Sequence, residues 1–100
     1  MFGWRGKSVS EKKKTIAAIE ELVPGKNLIY RLPELYHGGI GAFAIIELSQ
    51  DFPKKGRKFI ISTDMADNGN PKGQKIRRWD TNKPKEIINW LKDKSATPFN

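Results

Sequence analysis

The chain has 100 residues, 37% of them apolar and 10% aromatic, and carries 19 basic against 11 acidic side chains for a net charge of +8. That length suits one domain with one core, burying about two-thirds of its unfolded surface, and the apolar content excludes wholesale disorder. Cysteine is absent, which excludes a disulfide framework, a thiolate metal site and a thiol nucleophile. It also fits a reducing, cytoplasmic location.

No apolar run approaches the roughly 18 residues of a membrane helix. Residues 1–7, Met-Phe-Gly-Trp-Arg-Gly-Lys, are broken by glycine and charge. They read as a loose arm rather than a signal peptide. Ser8 and Glu11 have the spacing of a capping box, in which each side chain satisfies the other's free backbone N–H. Val9, Ile16, Ile19 and Val23 recur at helical spacing, and Ala17, Ala18 and Leu22 widen the stripe. Pro24-Gly25 ends that helix. Lys12, Lys13 and Lys14 in its first turns oppose the helix dipole and read as a solvated face.

Leu28, Tyr30 and Leu32 alternate with Ile29 and Arg31, which predicts a first strand over Lys26–Leu32 that Pro33 stops. Glu34–Gly41 holds Gly38, Gly39 and Gly41 but lacks a following GK[ST] or an opening helix. It reads as a connection, not a phosphate loop. Ala42–Leu48 is apolar on both faces except at Glu47, the pattern of a central strand. A charged tip over Ser49–Gly56 follows, and Arg57–Thr63 pairs back as the third strand. Asp64–Gly73 reads as a polar, mobile loop that contains Asn68-Gly69, a hairpin signal because both residues tolerate positive φ. Gln74–Trp79 reads as a fourth, charged edge strand. Asp80, Thr81 or Asn82 caps a second helix with Pro84 in its first turn. Ile87, Ile88 and Leu91 share one face of that helix, with Trp90 at the border. The helix fades over Lys92–Ser95, and Ala96–Asn100 is read as a tail.

The expected fold is therefore a single two-layer α+β domain over 1–100. Its order is α-β-β-β-β-α, with a four-stranded antiparallel meander and two helices on one face. Ile16, Ile19, Ile46, Phe59, Ile61, Ile88 and Leu91 form the predicted core. This order resembles that of double-stranded-RNA-binding domains, which run helix, three strands, helix. A four-strand run followed by a helix is also similar to single-strand-binding transcription cofactors. Both likenesses are of architecture, without a motif of either family.

In a meander, alternate connections lie at opposite ends of the sheet. The tip, the start of the first strand and the finish of the fourth thus share an end. That end gathers Lys54, Lys55, Arg57, Lys58, Arg77, Arg78 and Lys83, with Trp79 beside them. Such groups neutralise phosphates and stack an unpaired base, so these eight residues are the candidate nucleic-acid site, for DNA or RNA. Trp79 has a competing assignment, as the core anchor between sheet and second helix. The functional alternative is a protein-interaction or structural module, homodimeric or bound to another protein, that uses an uncovered sheet face bearing Phe43, Ile45 and Ile60.

Catalysis finds little support. His37 is the single histidine, so no histidine metal cluster exists, and no elbow motif accompanies a serine. Asp64, Asn68 and Gly69 match an EF-hand loop, but Ala66 and Lys75 fall at ligand positions. No metal, cofactor or catalytic residue is assigned, and the expected partner is nucleic acid rather than a membrane.

Overall fold

The computed structural model describes residues 9–33, 42–50 and 57–99, with side chains from residue 13 onward. The order is α1 (Val9–Glu20), β1 (Asn27–Leu32), β2 (Ala42–Leu48), β3 (Phe59–Asp67), β4 (Asn70–Pro71), β5 (Ile76–Thr81), α2 (Pro84–Asp93) and β6 (Thr97–Pro98). The chain is α+β with an antiparallel sheet, as its patterning implies, but the sheet has six strands rather than four.

The three long strands form the expected meander. β1 pairs with β2 and β2 with β3, and both β4 and β5 pair with the outer side of β3. The register runs Leu28 to Ile46 to Ile61 to Trp79, so side chains of one parity line one face. On that face Tyr30, Leu32, Ala42, Ala44, Ile46, Leu48, Phe59 and Ile61 are buried under Ile19 and Leu22 from the first helical segment and Ile87, Ile88 and Leu91 of α2. The predicted core residues all belong here, Ile16 at its partly buried margin.

Several expectations are corrected. β3 continues four residues past Thr63 because the Asn68-Gly69 turn, with φ of 55° and 83°, folds β4 straight back on it. Both residues in the left-handed region make the tight two-residue hairpin that suits the twist of paired strands. The stretch read as a mobile loop is therefore largely strand and turn. Its remaining excursion is braced by Asp64, which is buried. Asp64 Oδ1 accepts from the N–H groups of Met65 (2.8 Å) and Gln74 (3.3 Å), and Oδ2 accepts from Gly73 (2.7 Å).

The expected tail also joins the sheet. Thr97 and Pro98 pair with Arg31 and Tyr30, and the Phe99 N–H donates to the Ile29 carbonyl. Val23 is half exposed rather than core, because α1 stops at Glu20 and the helical phase that would bury Val23 is lost. The predicted Ser8 cap, the Glu34–Gly41 connection and the tip residues 51–56 lie outside the described residues.

The second sheet face bears Ile29, Phe43, Ile45, Ser62 and Arg77. Phe43 and Ile45 do not form an exposed apolar patch, since both are buried. Phe99 meets the Phe43 ring edge-on at 4.8 Å, and the Arg31 guanidinium stands 5.5 Å from the Phe43 centroid and 5.4 Å from that of Phe99. A cation over an aromatic face is held by the ring quadrupole.

Candidate nucleic-acid interface

The pairing of Leu48 with Phe59 and of Phe59 with Thr81 aligns the ends of β2, β3 and β5. Asn27 pairs with Glu47 one residue away, so Lys26 enters at the same end. The Ser49 N–H donates to the Lys58 carbonyl at 2.8 Å and closes the hairpin there. Lys54 and Lys55 lie outside the described residues. Lys26, Lys58, Lys83 and Lys85 are exposed around this end.

The remaining candidates are not gathered into one patch. Arg57 turns toward the helices. Its Nη2 donates to the Leu22 carbonyl at 2.8 Å, and its guanidinium lies 5.5 Å from the Phe59 centroid. Lys58 and Arg77 turn to the other face and share one acid, Asp80. Lys58 Nζ stands 4.0 Å from Asp80 Oδ1, and Arg77 is hydrogen-bonded to Asp80 Oδ2.

A bulge sets Arg78 apart from its neighbours. Ile61 pairs with Trp79 and Ser62 with Arg77, so Arg78 is the extra residue on β5. Its Nε donates to Thr63 Oγ1 at 2.7 Å. Arg77 lies four residues before Thr81 at the aligned ends, and the bulge sets it opposite Ser62, on the face shared with Asp80.

Trp79 is half-buried and packs edge-on against Trp90, with ring centroids 5.9 Å apart and planes at 61°. It joins the core cluster, as expected of a tryptophan that anchors the sheet to α2. Its Nε1 is buried and has no hydrogen-bond partner among the described residues. Lys83 occupies the N-cap position of α2 without a side-chain cap. Its N–H donates to Thr81 Oγ1 at 3.1 Å, and the Thr81 hydroxyl in turn bonds the Glu86 carboxylate.

Three features escape the strand-by-strand reading. The first is neutralisation across the second face, where Lys75 Nζ lies 2.7 Å from both oxygens of Glu47. Alternation places Glu47 on a face, but residue spacing does not reveal a partner 28 positions away. The second is the helical layer. The end of α1 and the start of α2 line one cleft, and Lys14 of α1 lines another with Tyr30 and Pro98. Lys14 therefore stands beside the pairing of β1 with β6. Positive charge is thus not confined to the aligned strand ends.

The third feature is a pair of clefts. One, of about 410 Å³, is lined by Lys14, Thr15, Ala18, Tyr30 and Pro98. There burial pushes the Tyr30 hydroxyl above its usual range, and a hydrogen bond with Thr15 partly offsets the shift. The other, of about 210 Å³, is lined by Glu20, Arg57, Phe59, Asn82 and Pro84. No described group of three or more acidic or histidine side chains is arranged to hold a metal ion. No described helix is long and apolar enough to cross a membrane. Compared with family models, curated proteins and solved structures, the chain matches none.

Proposed function

We propose that this chain is a small non-enzymatic nucleic-acid-binding domain that contacts phosphates through the tip end of its sheet. Lys54, Lys55, Lys58 and Lys83 are the principal contacts. Arg57 is engaged with the Leu22 carbonyl beyond α1, and Arg77, paired with Asp80, is set back from the end. Trp79 serves packing in this account rather than base stacking. The supporting observation is the strand register that aligns Lys26, Lys58 and Lys83 at one end, in a chain of net charge +8. Lysines attract phosphate without regard to base identity, and each contact releases a condensed counterion. Asp80 and Glu86 weaken the field locally, so affinity depends on low to moderate salt.

The test is binding of a mixed-sequence oligonucleotide over a range of salt, in DNA and RNA forms. Lys83→Gln should lower the slope of log affinity against log salt by about 0.7–0.9, and weaken binding alike across sequences. Absence of salt-sensitive binding at low ionic strength defeats the proposal.

A further inference from the structure

The smaller cleft lies between the end of α1, the start of β3 and the start of α2, and its lining is chemically mixed. Phe59 is 1% exposed and lies beneath Arg57, so Pro84 is the apolar surface the cleft presents. The Arg57 guanidinium is held in place by the Leu22 carbonyl and the Phe59 ring. Glu20 and Asn82 stand exposed on the rim, and Lys83 follows Asn82 directly. The volume of about 210 Å³ is below the ~300–1,000 Å³ of sites for drug-sized ligands. It suits one flat ring system.

We infer that this cleft takes a single unstacked guanine base from a single-stranded nucleic acid. The inference rests on the nucleic-acid reading above and adds a base specificity to it. Flat rings are received on apolar side chains and on guanidinium planes, and their Watson–Crick edges are then read by polar groups. Guanine offers two adjacent donors on that edge, N1–H and N2–H, which one carboxylate accepts together. The Asn82 amide suits the neighbouring O6 as a donor. Adenine and cytosine each set one amino donor beside a ring nitrogen that repels the carboxylate. Uracil and thymine flank their one N–H with two carbonyl oxygens. Glu20 is therefore the selecting group. A paired guanine has its edge occupied, which restricts the site to single strands.

The experiment compares two short thymidine oligonucleotides, one with a central guanine and one with a central adenine, by fluorescence anisotropy on the full chain. The guanine probe should bind about tenfold tighter, the discrimination expected of a well-made two-bond contact to a base. Glu20→Gln should reduce that preference below about twofold, because an amide presents one acceptor and one donor in place of two acceptors. It should do so without lowering the salt slope, since Glu20 touches no phosphate. Asn82→Ala should reduce the preference in part. Both residues are exposed, so both variants keep the fold. Salt-sensitive binding of the two probes with equal affinity, or a guanine preference that survives Glu20→Gln, overturns the guanine assignment and leaves the phosphate reading standing. Failure of both probes to bind at low salt removes both readings.

Discussion

Arg57 reaches across from the start of β3 to the carbonyl of Leu22, 2.8 Å away, and so fastens the end of the first helical segment to the sheet. The bond satisfies a backbone carbonyl in the turn that follows α1. A charged donor to a backbone acceptor contributes about 1.5–3 kcal/mol. Arg57→Gln should therefore lower stability by roughly that amount in urea unfolding. Arg57→Lys should recover only part, because a point charge does not keep the planar guanidinium contact with Phe59. Stability unchanged in both variants would show that the contact is not maintained in solution.

Asp64 should behave as a brace. Removing its carboxylate in Asp64→Ala leaves the N–H groups of Met65, Gly73 and Gln74 without their acceptor, at a cost of about 2–3 kcal/mol. Hydrogen exchange is the sharper readout. Gly73 and Gln74 should be protected in the parent and lose that protection in the variant, while Ile61 keeps its own.

The tryptophan pair predicts a stability effect with no effect on affinity. Trp79→Ala removes a large, half-buried ring and should cost about 3 kcal/mol. A double-mutant cycle with Trp90 should give a coupling of about 0.5–1.5 kcal/mol for the edge-on contact. Trp79→Phe should be much milder, because it also removes the buried Nε1–H that lacks a partner. A loss of oligonucleotide affinity at full stability would instead assign Trp79 to base stacking.

Tyr30 gives a pH dependence whose sign follows from its burial. Its folded-state pKa lies above the ordinary 10.0. The native state thus holds the hydroxyl proton at pH values where the unfolded chain releases it. The contribution is fully present below the unfolded pKa and is lost as the pH rises through the folded one. Urea unfolding between about pH 9 and 11 should show stability falling with pH. Tyr30→Phe should flatten that fall. An equal fall in both proteins would assign the alkaline loss to other groups.

Much of this fold was legible from residue pattern. The alternation of Leu28, Tyr30 and Leu32, the doubly apolar Ala42–Leu48 and the Asn68-Gly69 turn each carry a local physical signal. So does the Ile87, Ile88, Leu91 face of α2. What escaped depends on partners distant in the chain. Asp64 reads as a loop acid until Gly73 and Gln74 return to it. The strand at Thr97–Pro98 exists because β1 offers an open edge, which no property of a threonine and a proline announces. The bulge at Arg78 turns Arg77 onto the face of Asp80, which simple alternation does not announce. Within the candidate site, the convergence of Lys26, Lys58 and Lys83 followed from counting connections. The capture of Arg57 by Leu22, and the sharing of Asp80 by Lys58 and Arg77, required three dimensions.

The salt dependence of oligonucleotide binding, measured for the parent, Lys58→Gln, Lys83→Gln and the double variant, tests the phosphate-binding account most directly. The account predicts salt-sensitive binding whose slope falls by about 0.7–0.9 for each lysine removed and roughly twice that for both, with thermal stability unchanged. A slope and affinity identical in all four proteins, or no binding at low salt, would contradict it.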